Sequence, residues 1–197
     1  MQLLCSGGVD STVCAALLRV ALPQSQVMAV HIDNGFMRKS ESDNVEASLN
    51  AIGVQLIVKR AFHQFIKGTT TVKLPGSLYT TETPLLSMTI NPEDKRKIIG
   101  DVFIKVSNEV LFDMKMRPED VFLAQGTLRP DLIESASSLV SSKAEVIKTH
   151  HNDTELVRKL RDEGRVIEPL KDFHKDEVRQ LGYELGLPQH LVERHPF

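Results

Sequence analysis

The stretch Leu3-Leu4-Cys5-Ser6-Gly7-Gly8-Val9-Asp10-Ser11-Thr12-Val13 decides how this chain is read. Leu3, Leu4 and Cys5 form the end of a first strand. Val13, Ala16, Leu17 and Val20 then recur at helical spacing, giving one apolar face on a helix that ends before Pro23. Between strand and helix, the adjacent Gly7 and Gly8 let the backbone turn sharply and approach a ligand closely, while the helix aims unpaired N–H groups outward. Ser6, Ser11 and Thr12 add hydroxyl donors. This combination suits an anion with several oxygens, such as a pyrophosphate. It is not a Walker A loop, because no Lys follows the glycines, and it is not G-x-G-x-x-G. Charge neutralisation must come from a metal or from basic residues on other segments. Asp10 can help hold magnesium, whose preference for hard oxygen ligands suits a carboxylate beside phosphates. The competing reading of the same residues is a plain Gly-Gly turn capped by serine.

Outward from this loop, apolar runs alternate with helical patterns, the signature of a parallel α/β sheet. Val27 to Ile32 reads as a second strand, apolar except for His31, and Val54 to Val58 as a third. The helix between them carries Val45, Leu49 and Ile52 on one face and closes at Gly53 in the C-terminal cap position. Residues 68–90 read as an irregular insertion. A long helix restarts at Asn91-Pro92-Glu93-Asp94, an N-cap side chain, a proline at the first helical position and two acids facing the dipole. Its apolar face runs through Ile99, Val102, Phe103, Val106 and Val110. Val121 to Ala124 and Val166 to Leu170 supply strands four and five, and Ser135 to Ser142 a loop. The last helix is expected to start at Lys171 and Asp172, to carry Val178, Leu181 and Leu185, and to stop at Gly186 and Pro188. The expected fold is a doubly wound parallel sheet of about five strands with helices on both faces. Asp33 ends the second strand, where nucleotide folds often place an acid against a ribose hydroxyl. Asn34-Gly35 beside it also reads as a plain turn.

Composition narrows the functional classes. The 197 residues carry 24 Lys and Arg against 26 Asp and Glu, and the net charge of -2 argues against an electrostatically driven nucleic-acid binder. With 41% hydrophobic and 25% charged residues, disordered and fibrous classes are excluded. No apolar stretch approaches the roughly 20 residues a membrane span needs, and no signal peptide opens the chain, so a cytosolic protein is expected. Cys5 and Cys14 lie outside any disulfide or zinc spacing and read as small buried hydrophobes.

Ser6-Gly7-Gly8-Val9-Asp10-Ser11 resembles the pyrophosphate loop of the N-type ATP pyrophosphatases, which split ATP into AMP and pyrophosphate while adenylylating a substrate oxygen. Within that superfamily the chain resembles the ATP pyrophosphatase domain of the glutamine-hydrolysing GMP synthases. The resemblance rests on Ala29 to Arg38, Lys95 to Asp101, Ala124 to Ser135, Ile147 to Asn152 and Glu168 to Asp172, in order along nearly the whole chain. It implies an adenine nucleotide alpha hydrolase-like fold, ATP as co-substrate with Mg2+, and amination of xanthosine monophosphate (XMP) to GMP. In that reaction the purine 2-oxygen attacks the α-phosphorus of ATP, and ammonia from a glutaminase domain of the same polypeptide or complex then displaces AMP. Residues 1–197 would form one such domain, with a mobile lid at 143–165. The glutaminase domain and a C-terminal dimerisation domain would lie outside this chain, leaving the XMP site here incomplete and a homodimer possible only through the missing part. Neither a nucleic acid nor a membrane partner is expected. The alternatives are another adenylylating enzyme of the superfamily, such as NAD synthetase, a thiolation enzyme, or a nucleotide-binding module without turnover.

Carried onto this chain, the resemblance assigns Ser6, Gly7, Gly8, Val9, Asp10, Ser11 and Thr12 to the pyrophosphate. Val30 falls to the adenine pocket, Asp33 to the ribose region, and Gly126 and Thr127 to the same sheet edge. Arg96, Asp131 and Glu134 fall to XMP, with Asp10 also the magnesium ligand. Lys148 is the candidate for the missing phosphate cation, delivered by the lid, and stands with Asp10 as catalytic. Bland readings compete: a core valine for Val30, a solvated basic run for Arg96, and helix caps for Asp131 and Glu134. His150 and His151 are adjacent, so they do not project together as metal ligands.

Overall fold

The computed structural model describes residues 2–4, 8–74, 76, 79–117, 120–131 and 160–194. In chain order the elements are β1 (Gln2–Leu4), α1 (Val9–Ala21), β2 (Met28–Asp33), α2 (Glu41–Ala51), β3 (Leu56–Arg60), α3 (Phe62–Ile66), β4 (Thr71–Lys73), β5 (Thr80–Glu82) and α4 (Pro92–Asp113). They continue with β6 (Leu123–Ala124), β7 (Val166–Ile167), α5 (Lys175–Glu184) and α6 (Gln189–Val192). The chain divides into two compact units, one of Met1–His31, Arg38–Val58 and Val121–Phe197, the other of Ile32–Met37 and Lys59–Asp120.

The main sheet has the strand order β3-β2-β1-β6-β7. β1 pairs in parallel with β2, Leu4 opposite Val30, and with β6, Leu3 opposite Ala124; β6 pairs in parallel with β7. The order runs outward from β1 in both directions, so the expected doubly wound α/β fold is borne out. In such a sheet the point where the winding reverses, here between β1 and β6, opens a crevice at the carboxyl ends of the strands. Gly8, at the start of α1, and Gly126, after β6, both belong to that part of the sheet.

In the first unit the core gathers Val9, Val13, Cys14, Ala15, Ala16 and Leu18 of α1 with Val45 and Leu49 of α2, Val178 of α5, and Leu191 and Val192 of α6. The one-sided face expected for α1 is therefore corrected: Val20 is 71% exposed, whereas Cys14 and Leu18 are buried. A helix that packs against β1, α5 and α6 together has no single apolar stripe to display. α2 follows its expected pattern, closing on Gly53 at φ +78°. The last helix begins at Lys175 rather than Lys171, because His174 is its N-cap and its backbone N–H donates to Glu177 Oε2 at 2.7 Å. α6 has no forerunner in the sequence reading.

The second unit is built on α4. Asn91 caps it as expected, its side-chain oxygen accepting the Glu93 N–H at 2.9 Å. Its buried residues centre on Ile98, Val102, Val106 and Val110, so Ile98 replaces Ile99 as the start of the stripe. Phe65 of α3 is fully buried and meets Phe103 edge-on, with ring centroids 6.5 Å apart. Within the stretch expected to be irregular, β4 and β5 form an antiparallel hairpin, Val72 opposite Thr81. Five of its six strand residues are exposed, so no alternation announced it. Among the described residues no helix is long and apolar enough to cross a membrane.

One buried ion pair ties the first unit together. Glu41, in the first turn of α2, accepts the Arg38 N–H at 2.7 Å and pairs with the Arg194 guanidinium, both side chains being largely buried. Burial, followed by the nearby Arg38 charge, pulls the Arg194 pKa below its usual value. Removing one partner of such a pair strands the other charge. Glu41→Ala is expected to cost about 3 kcal/mol, read as a lower urea midpoint at unchanged m-value.

Candidate functional site

The turn after β1 leads into α1 through Gly8, the N-cap, with φ -70° and ψ 160° and no side chain to cap the helix. The first N–H groups of α1 thus receive no cap from that residue. The Ser11 and Thr12 hydroxyls, expected as donors to an anion, instead donate to the Gly8 carbonyl at 3.1 and 2.9 Å. Short hydroxyl side chains buried beside a carbonyl three or four residues back turn onto it. Val9, Ser11 and Thr12 are buried and Asp10 is half-buried. Ser6 and Gly7 lie outside the described residues.

Across the crevice, Gly126 follows β6 and rests on this same turn. A Cβ at Gly126 would lie 2.8 Å from the Asp10 carbonyl carbon and 2.9 Å from the Ser11 nitrogen. Real Cβ atoms do not come that close to backbone, so only glycine admits this approach. Two further contacts fasten the segments. Cys14 Sγ donates to the Gln125 carbonyl at 3.8 Å, and the Gln125 N–H donates to the Ile167 carbonyl at 2.9 Å.

The electrostatics of the turn bring in a residue that the sequence reading missed. Both carboxylate oxygens of Asp10 accept from Lys175 Nζ, at 2.7 and 2.8 Å. Lys148, the phosphate cation expected from the sequence, lies outside the described residues. Lys175 carries a signal of its own once the helix start is known. It is the first residue of α5, where the dipole disfavours a cation, so it needs an anionic partner.

Beside Gly126, the Thr127 hydroxyl donates to Glu168 Oε1 at 2.7 Å, and Arg161 Nη2 donates to the same oxygen at 2.8 Å. Asp131 Oδ2 accepts the Leu128 N–H at 2.9 Å, and the Asp131 N–H donates back to the Leu128 carbonyl, the geometry of a helix cap. Val30 is fully buried in β2. Asp33 ends β2, and its Oδ1 accepts the Gly35 N–H at 3.0 Å, an Asx turn. Arg96 forms an exposed ion pair with Glu93 one turn earlier in α4. Glu134 lies outside the described residues, as does the expected lid from residue 143 to 159. The first unit thus brings together the first turn of α1, Gly126 and Thr127, while Asp33 and Arg96 belong to the second.

Cys14 is not a nucleophile in waiting. It is fully buried, and burial pushes its thiol up to about 12. Among the described residues no group of three or more His, Cys, Asp or Glu side chains is disposed to hold a metal.

Gly126→Ala is expected to push the first turn of α1 aside, costing about 1–3 kcal/mol and speeding hydrogen exchange at the Asp10 to Thr12 amides more than elsewhere in α1. In a Cys5→Ser background, Cys14 is expected to resist a thiol reagent at pH 8 and to react once urea unfolds the chain. Its raised pKa also fixes a sign. Above the ordinary value of 9.0 the unfolded thiol loses its proton while the native one keeps it until about 12. Stability therefore falls as pH rises through that window, measurable as a declining urea midpoint.

Comparison with known proteins accords with this geometry. The chain is 61% identical over 194 residues to a GMP synthase (glutamine-hydrolysing) of Dictyostelium discoideum, covering 98% of this chain and 26% of that protein. A probable GMP synthase of Caenorhabditis elegans is 56% identical over 192 residues, covering 98% of this chain and 25% of the other. The chain thus spans about a quarter of the length of these relatives. In three dimensions it is similar to an NH3-dependent NAD synthetase from Campylobacter jejuni, with a TM-score of 0.60 at 12% identity, covering 98% of this chain and 66% of that one. That likeness speaks for the fold, which is of the adenine nucleotide alpha hydrolase kind. The resemblance to the ATP pyrophosphatase domain of the GMP synthases is borne out by these relatives. A family profile described as queuosine biosynthesis protein QueC matches residues 2–193, and the chain belongs to that family.

Proposed function

We propose that this chain is the ATP-pyrophosphatase portion of an enzyme that aminates XMP to GMP, through an adenylyl-XMP intermediate, with release of AMP and pyrophosphate. The observation that carries the reading is the switch point between β1 and β6, where the Gly126 backbone rests on the first turn of α1, whose N-cap is Gly8, and Lys175 stands against Asp10. Backbone N–H groups, a helix dipole and a lysine converge there, the equipment for binding the triphosphate of ATP. The identity to GMP synthases supports XMP as the oxygen nucleophile that attacks the α-phosphorus. The role of the protein is to align the two substrates and to stabilise the charge that moves onto the departing pyrophosphate.

Magnesium fits the donor set. Asp10 offers one half-exposed carboxylate, and magnesium is commonly held by one or two carboxylates together with substrate phosphates. When bound, the ion would neutralise phosphate charge, and Asp10 would be its protein ligand. Lys175 would then pass from the carboxylate to the phosphates, with Lys148 a second cation from the proposed lid. Arg96, Asp131 and Glu134 are proposed for XMP, and Val30 and Asp33 for the nucleoside of ATP. Ammonia would come from a glutaminase domain elsewhere in the polypeptide or its complex, in the cytosol, and dimerisation would use a further domain.

The test supplies XMP, ATP, magnesium and ammonia to the full-length protein. GMP, AMP and pyrophosphate are expected in equal amounts; ADP and phosphate would refute the reading. Asp10→Ala and Lys148→Ala are each expected to slow pyrophosphate release by about a hundredfold while leaving the melting temperature nearly unchanged.

A further inference from the structure

Gln125 stands out among the buried polar side chains of the first unit. It is 8% exposed, it lies at the carboxyl end of β6 next to Gly126, and its side-chain Oε1 has no hydrogen-bond partner among the described residues. Its backbone is fully engaged, the N–H with Ile167 and the carbonyl with Cys14, so the residue is held on both sides by β7 and α1. A buried carbonyl oxygen without a donor costs about 1–3 kcal/mol, an expense an apolar side chain of similar size would avoid. Thr127, two residues on, shows the contrast: its hydroxyl is satisfied within the protein by Glu168. Gln125, the residue that carries the unpaired atom, follows directly on β6 and so stands at the switch point of the sheet, where an α/β sheet of this winding receives its ligand.

We propose that the Gln125 amide reads the nucleoside half of the bound nucleotide, its Oε1 accepting a hydrogen bond from a neutral donor. The inference rests on the nucleotide reading of this edge and adds a specificity residue to it. An acceptor oxygen cannot bind a phosphate oxygen, which has no proton to give at neutral pH. The neutral donors of ATP to which this acceptor is assigned are the adenine amino group and the ribose 2′-hydroxyl. Through that oxygen Gln125 contributes to recognition, and a donor on the nucleotide would relieve the cost of leaving the buried acceptor unpaired. A site built around such an atom rejects a ligand lacking the donor, because the buried acceptor then stays unpaired.

The experiment uses the full-length protein with Gln125→Met and Gln125→Leu, both apolar and close to glutamine in size. Melting temperature without ligand is measured alongside the dissociation constants for ATP, inosine triphosphate and 2′-deoxy-ATP. Both variants are expected to melt at or above the wild-type temperature and to bind ATP about tenfold more weakly. The wild type is expected to prefer ATP about tenfold over one of the two analogues, and the variants to lose that preference. Lost discrimination against inosine triphosphate identifies the adenine amino group, and against 2′-deoxy-ATP the ribose hydroxyl. Unfolding or a lower melting temperature in both variants would overturn the proposal, since a structural hydrogen bond would then be the role. Unchanged ATP affinity, or unchanged preference against both analogues, would overturn it equally. Wild-type protein that fails to bind ATP overturns the nucleotide reading together with this inference. ATP binding without conversion of XMP overturns only the proposed reaction, and the Gln125 comparison still decides.

Discussion

The closeness of Gly126 to the Asp10 and Ser11 backbone is the constraint on which the candidate site depends. Backbone against backbone leaves no side chain to adjust, so the crevice has a fixed inner wall. Cys14 bonding Gln125 and Lys175 bonding Asp10 both act on α1 as well, one from the strand side and one from α5. α1 is therefore located by three contacts, and the burial of most of its residues follows from being the element the others are measured against. The small residues Cys14, Ala15 and Ala16 permit that crowding.

The parts of this architecture that could be read in advance are those with local causes. The Asn91 cap, the Gly53 closure and the alternation of strand and helix each depend on a few neighbouring residues. The face of α1 could not be read, because residues far along the chain decide which of its sides are covered. Lys175 escaped for the same reason: its partner lies 165 residues away. The β4–β5 hairpin was hidden because its threonines and lysine are exposed on both faces, so no apolar alternation marks it. The start of α1 just after the paired glycines was legible, but the hydrogen bonding of its first turn was not. The Ser11 and Thr12 hydroxyls serve the helix instead of pointing outward.

The net charge of -2 takes on a different meaning beside these pairings. Lys175 with Asp10 and Arg161 with Glu168 hold opposite charges at the sheet edge in matched couples. In each couple the positive charge is held by a carboxylate of the same unit, so these two cations add little net field at the edge.

The span between Asp10 and Lys175 also bears on how the protein is made. β1 sits at the middle of the sheet, yet one of its two neighbours is β6 and the helix after it is covered by α5 and α6. On the ribosome the first strand and helix emerge long before those partners exist. Val13, Cys14 and Leu18 must wait in an unfinished interior while more than a hundred and fifty residues are added, which takes on the order of ten seconds or more. Synthesis therefore passes through an interval in which apolar surface is open to chaperones or to neighbouring nascent chains, and the centre of the fold is among the last parts to close.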